Sequence, residues 1–195
     1  MQVKNKRIEE NRVKILEAAG RLFYGKRFHQ VKVGEIAEAA DMGKGTIYEY
    51  FPSKEKLFEE LFKYSTEKYI RLARKAGAKK GSSRERLLAI VFNHIEFITR
   101  FSHLDYYIFH INRSNIQELH SWFQEKRDQF LSLVGEIIDE GIRRGEIRAM
   151  DSRLAAAAFT GSFLAALDPF LIDLEKDGKK IAAEVTALFF QGAGA

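Results

Sequence analysis

One stretch limits what this chain can become more than any other: V-G-E-I-A-E-A-A-D-M-G-K-G-T-I-Y-E-Y-F-P-S-K, from Val33 to Lys54. Val33, Ile36, Ala37 and Ala40 recur at helical spacing on one face, and Ile47 and Phe51, four residues apart, give a second short helix its own apolar face. Asp41 to Gly43 supply a turn between them, and Pro52 stops the second helix. Helices this short are not stable in isolation. They must pack on each other and on a third helix, which is the build of a helix-turn-helix unit whose second helix enters the DNA major groove.

The side of the second helix that Ile47 and Phe51 leave free carries Lys44, Thr46, Tyr48 and Tyr50, with Lys54 just beyond. Cations, hydroxyls and aromatic rings suit phosphates and base edges. Gly45 costs about 1 kcal/mol of helix propensity against alanine, and its missing side chain lets the backbone approach a sugar-phosphate edge. Any one of these residues also fits an ordinary solvated helix; the constellation favours DNA.

The pattern I-A-x-x-A-x-M-x-K-G-T-I-Y-x-Y-F-P-S-K, from Ile36 to Lys54, resembles the DNA-binding signature of the TetR family of bacterial transcriptional regulators. The preceding A-A-x-x-L-F, from Ala18 to Phe23, is similar to that family's first helix, and the close match covers roughly the first 60 residues. The resemblance implies that Lys44, Gly45 and Thr46 approach bases and nearby phosphates, that Tyr48 and Tyr50 hold phosphates, and that Lys54 grips a phosphate from the next helix. Four positions depart from the family: Arg27 and Asp41 replace glycines, Lys32 a Ser or Thr cap, and Gly43 a serine. Aspartate tolerates a left-handed backbone and glycine is an acceptable N-cap. Lys32 instead sets a cation at the positive end of a helix and accepts no backbone bond, so its expected partner is a DNA phosphate.

Charge divides the chain. Residues 1 to 80 hold 19 Lys and Arg against 11 Asp and Glu, and residues 81 to 195 hold 13 against 16. The first part suits a polyanion. Lys4, Lys6 and Arg7 read as a basic arm before a first helix over residues 9–24, either near DNA or solvated. With two prolines and no sustained apolar-polar alternation, the expected fold is all-α. It comprises a three-helix DNA-binding domain at residues 1–53 and a helical ligand-binding and dimerisation domain at 54–195. Helix 4, over 53–76, connects them, and Gly77 to Ser83 form the clearest linker.

No cysteine is present, which excludes disulfides and thiol catalysis and fits a reducing cytosol. No signal-peptide pattern opens the chain. The longest small-apolar run, Leu154 to Leu167, is broken by Thr160, Gly161 and Ser162 and is too short to span a bilayer. A soluble cytoplasmic protein with no membrane partner is expected.

The second part reads as helices over 84–101, 115–144, 151–167 and 179–190, with an aromatic segment at 103–111. Phe92, Phe101, Tyr106, Trp122 and Phe123, interspersed with His94, His110 and Arg113, are the expected ligand contacts. Such mixtures build ordinary cores as well as pockets; the family resemblance, whose members bind a ligand in this half, selects the pocket. Few carboxylates argue against a polycationic drug. A fatty acid or acyl thioester suits the site, with Arg100 or Arg113 near its anionic end, while multidrug, aromatic and other metabolite ligands stay open. S-N-I-Q-E-L (Ser114 to Leu119) and E-G-I-R-R-G-E-I (Glu140 to Ile147) loosely resemble regulators of fatty-acid degradation in Gram-positive bacteria.

Ala155 to Ala158, Gly161, Ser162, Ala165 and Ala166 make a narrow apolar helix, and Leu188 and Phe189 supply bulk on the last one. The resemblance implies a symmetric four-helix dimer contact through Ala158, Gly161, Ser162, Ala165, Leu188 and Phe189, although both helices also fit an internal core. A two-fold dimer sets two reading helices about one DNA turn apart. None of the five histidines forms an i, i+4 metal pair, and no phosphate loop or nucleophile elbow occurs. The expectation is a repressor without cofactor, metal or catalysis, released from a palindromic operator by a small hydrophobic effector. The alternatives are an architectural DNA-binding protein without ligand, or a helical metal enzyme built around His103, Asp105 and His110.

Overall fold

The computed structural model describes residues 2–23, 26, 28–101, 116–165 and 174–193. They divide into two units, the described residues of 2–67 with 100 and 101, and those of 68–99 with 116–193. Every helix below belongs to these described residues.

The first unit begins with α1 (Gln2–Phe23), a 3-10 turn (Phe28–Gln30), α2 (Val33–Ala39), α3 (Lys44–Tyr50) and the first part of α4 (Lys54–Gly77). Helix α1 starts seven residues before the expected Glu9. No proline or glycine interrupts Gln2 to Ala19, and Lys6 lies 3.9 Å from Glu10 one turn on. Lys4, Lys6 and Arg7 therefore belong to the helix and not to an arm.

The end of α2 satisfies its last carbonyls in a Schellman arrangement: the Met42 N–H donates to the Ala37 carbonyl at 2.9 Å and the Asp41 N–H to Glu38 at 3.0 Å. Asp41 takes the left-handed position, φ 53°, that glycine usually fills. Gly43 is the N-cap of α3 in extended backbone, and the Ser53 hydroxyl caps α4 by accepting the Lys56 N–H at 3.1 Å. Ile15, Leu16, Ala18 and Ala19 of α1, Ile36 and Ala37 of α2, Ile47 of α3, Phe51, and Leu57, Phe58 and Leu61 of α4 are buried. Phe23 meets Phe58 edge to face at 4.9 Å, Arg12 pairs with Glu60, and the Arg12 guanidinium lies 5.2 Å from the centre of the Phe51 ring. Thus α1 and α4 hold the two short helices in place.

The second unit takes the rest of α4, most of α5 (Ser83–Phe101), and α6 (Ile116–Arg143), α7 (Ser152–Ala165) and α8 (Leu174–Ala193). Its core joins Tyr69, Ile70 and Ala73 to Leu87, Ile90, Val91 and Ile95, and these to Phe130, Val134, Ile137 and Ile138, with Ala156, Phe159, Ile181 and Ala182 from the last two helices. The turn after α4 is fastened to the end of α6. Arg86 bonds both Glu140 and the Gly77 carbonyl, Arg144 bonds Glu140 and, at 3.1 Å, the Gly81 carbonyl, and Glu146 accepts the Ser83 N–H at 2.6 Å. Gly145, at φ 73°, ends α6 in a second Schellman arrangement, its N–H on Ile142 and that of Glu146 on Gly141. Asp151 caps α7 by accepting the Leu154 N–H at 2.8 Å.

Helix α8 starts at Leu174, five residues before the expected Lys179. D-G-K-K is helical, and a side chain at Gly178 would meet Ile95 Cγ2 at 3.0 Å. The glycine marks a close crossing of α8 over α5, not a break. Tyr106, His110, Arg113, the segment 103–111 and Pro169 lie outside the described residues, as do the side chains of Phe101 and Ala165.

Candidate nucleic-acid interface

Lys32, Lys44 and Gly45 are exposed, Tyr48 is 43% exposed, and Thr46 and Tyr50 are half-buried. A side-chain carbon added at Gly45 meets nothing within 4 Å, so internal packing does not require this glycine. Helix α3 therefore presents a Lys-Gly-Thr end and a tyrosine to solvent while Ile47 anchors it from behind.

Two interactions escaped the sequence reading. At the start of α2 the Glu35 carboxylate accepts the Lys32 backbone N–H at 2.7 Å, half of a capping box; an ammonium has no lone pair with which to return the bond. The signal was a glutamate three residues after the cap. Lys54 Nζ donates to the Phe28 carbonyl at 2.6 Å and lies 4.0 Å over the Phe28 ring. Burial lowers its pKa from the ordinary lysine value. Lys54 thus ties the start of α4 to the 3-10 turn. Tyr50 has an internal contact too, its hydroxyl accepting from Asn11 Nδ2 at 3.0 Å, which joins the end of α3 to α1.

In the second unit His94 is brought together with Tyr69, its Nδ1 2.7 Å from the phenol oxygen. Tyr69 stacks on Phe97 at 4.9 Å, and the Phe130 ring lies 5.4 Å from Tyr69 and 6.1 Å from His94. Burial lowers the His94 pKa to about 3 and raises that of Tyr69, so both rings are neutral at physiological pH. The sequence signal for this pair was the Tyr69 hydroxyl, which needs a partner when buried. Phe92 is half-buried against this core, and Trp122 and Phe123 meet edge to face at 5.4 Å on α6. Among the described residues of this unit no Lys, Arg, Asp or Glu is buried. No described cluster of His, Asp and Glu has the makings of a metal site, and no described helix is long and apolar enough to cross a membrane.

On α7 and α8, Leu154 (70% exposed) and Leu188 (68% exposed) face solvent together with Ala158, Gly161 and Ser162, whereas Phe189 is half-buried against Phe159 at 4.9 Å. Exposed apolar residues grouped as Leu154, Ala158 and Gly161 are, at i, i+4 and i+7 on one face of α7, are not usually left uncovered.

Residues 15–61 match the family model for bacterial regulatory proteins of the tetR family, and residues 80–192 match that for the tetracyclin repressor-like C-terminal domain. The chain belongs to the TetR family. It is a transcriptional regulator with an N-terminal helix-turn-helix and a helical C-terminal domain, as its relatives bear out. The fatty acid metabolism regulator protein of Bacillus subtilis is 29% identical over 152 residues, 77% of this chain and 78% of that protein. QacR of Staphylococcus aureus is 25% identical over 158 residues, 76% and 81% of the two chains. Among solved TetR-type structures, FadR of B. subtilis in complex with stearoyl-CoA superimposes with a TM-score of 0.65 at 25% identity, covering 92% of this chain and 98% of that one. A putative TetR-family regulator of Mesorhizobium loti reaches 0.73 at 20% identity, covering 97% and 99%, and supports the fold.

Proposed function

We propose that this TetR-family regulator is a homodimeric repressor whose two α3 helices read the half-sites of a roughly palindromic operator, and that a long-chain acyl thioester or fatty acid releases it. Lys44, Gly45 and Thr46 meet base edges and nearby phosphates, Tyr48, Tyr50 and Lys32 meet phosphates, and Lys54 holds the start of α4 in position beside them. Leu154, Ala158, Gly161 and Leu188 form the face that meets the second copy. The protein works in the cytoplasm and carries no catalytic activity.

The observation that carries the effector class is the interior of the second unit, apolar around the neutral Tyr69–His94 pair and free of buried charge among its described residues. An apolar acyl chain is compatible with that interior, and an ion buried there without a counter-charge is not. The similarity to a FadR that was solved with stearoyl-CoA supports the same class. Release follows if the ligand prefers the arrangement of the two reading heads that does not fit both half-sites; it acts only through that difference in affinity.

The test is an operator selected from random duplexes, followed by fluorescence anisotropy of the protein–operator complex during titration with palmitoyl-CoA. Dissociation at micromolar palmitoyl-CoA is expected. A complex that persists through saturating palmitoyl-CoA and palmitate rules this effector class out.

A further inference from the structure

The charge on α4 changes character along its length. In its first half Lys56 and Lys63 are each paired with Glu59 and Glu60. From Lys68 to Lys80 come Lys68, Arg71, Arg74, Lys75, Lys79 and Lys80 with no aspartate or glutamate among them. All six are exposed, and Arg71, Arg74 and Lys75 have no ion pair with any described residue. Cations in the last turn of a helix gain from its dipole, which accounts for Arg74 and Lys75. It does not account for Arg71, which lies farther back, one turn after Glu67 and one turn before Lys75. Arg71 and Lys75, at i, i+4 spacing, repel by a few tenths of a kcal/mol. A solvated face needs no such cost, and the sequence that follows is acidic overall.

The same turns of α4 carry an ordered change of polarity. Tyr69 is buried and bonded to His94. Leu72, one turn on from Tyr69, is 49% exposed, an apolar shoulder at the edge of the core. Lys68 and Lys75 flank Leu72 at i−4 and i+3, and Arg71 lies between them on the outer face. Around one helix the surface thus passes from neutral polar, to apolar, to strongly cationic within the reach of neighbouring side chains.

We propose that Lys68, Arg71 and Lys75 form a phosphate-binding surface that takes the nucleotide end of an acyl thioester, while its acyl chain lies inside the second unit. This rests on the effector class proposed above and sharpens it: a thioester has a neutral carbonyl where the chain ends and several phosphates farther out, matching the order of groups on α4. A free fatty acid has its only charge on the carboxylate at the end of the chain and no group that reaches the cations. Arg71 and Lys75 are thereby specificity determinants for the thioester over the acid.

The experiment is calorimetric titration of palmitoyl-CoA, below its micellar concentration, into the full-length protein and into the double variant Arg71→Gln, Lys75→Gln. It is repeated with palmitoyl-CoA lacking the 3′-phosphate and with palmitate, and operator affinity is measured without effector. Both side chains are exposed, and matching thermal midpoints establish that the variant folds. The expected result is palmitoyl-CoA binding about tenfold weaker in the variant, a smaller loss with the dephosphorylated thioester, and unchanged affinity for palmitate and operator. Unchanged palmitoyl-CoA affinity in the variant overturns the phosphate surface alone. Loss of operator affinity with palmitoyl-CoA binding intact overturns it in favour of a nucleic-acid surface. A wild-type protein that binds palmitate but no palmitoyl-CoA overturns this occupant alone, and one that binds neither overturns the effector class with it.

Discussion

Tyr48 and Tyr50 stand two residues apart on α3, yet they are not equivalent. Tyr50 shares its hydroxyl with Asn11, so part of its role is to hold α3 on α1, whereas the exposed Tyr48 has its hydroxyl available to a phosphate. A phosphate contact carries no sequence information. Tyr48→Phe should therefore weaken every operator variant by the same factor, about fivefold for a hydrogen bond worth ~1 kcal/mol; a panel of single-base operator variants measured by anisotropy checks this, and an altered order of preference contradicts the role. Lys32→Ala should lower the salt slope of operator binding by about one unit. His94 governs a different property. The unfolded chain takes up its imidazole proton near pH 6.5 and the folded one only near about 3. The neutral buried ring thus contributes its full stability above pH 6.5, and this declines as pH falls toward 3, by up to ~1.4 kcal/mol per unit. Urea denaturation between pH 7.5 and 5, where most carboxylates stay ionised, should show that decline, and His94→Gln should flatten it.

At the scale of elements, what was legible depended on whether the determinant lies close in sequence. The helix-turn-helix stands where its spacing put it, and the Ser53 and Asp151 caps and the Gly145 stop are likewise made by residues close in sequence. The start of α8 was not legible, because D-G-K-K is a turn signal until Gly178 is placed against Ile95 on α5, a contact far away in sequence. The second role of Lys54 was hidden likewise, since its partner is the Phe28 carbonyl 26 residues earlier. The Tyr69–His94 pair was not legible, because nothing near Tyr69 in sequence announces His94. The two glycines at the end of α6 separate backbone cost from packing cost. Gly145→Ala strains a left-handed residue in open space, about 1 kcal/mol. At Gly141 a methyl would approach Ser83 Oγ at 2.6 Å and Ile147 Cδ1 at 2.8 Å, so Gly141→Ala should cost more, ~1–3 kcal/mol. Thermal melts of the two variants decide; equal costs contradict the packing at the fastening of α5 to α6.

For the molecule as a whole, the proposed mechanism needs two copies, because one reading helix contacts one half-site. The exposed leucines of α7 and α8 are the proposed place for the second copy, a burial worth about 1.5–3 kcal/mol for each leucine covered. Leu188→Glu would set two carboxylates close to a two-fold axis. It should give a folded monomer by light scattering and lower operator affinity at least a hundredfold; a variant that remains dimeric moves the interface elsewhere. The central claim, a dimer on DNA that an acyl thioester removes, is most directly tested by native mass spectrometry of the protein mixed with its selected operator duplex, before and after addition of palmitoyl-CoA. The expected spectrum holds chains on the duplex in even number, replaced on titration by free duplex and a protein dimer heavier by bound palmitoyl-CoA. A single chain on the duplex, or palmitoyl-CoA riding on an intact protein–DNA complex, contradicts the account.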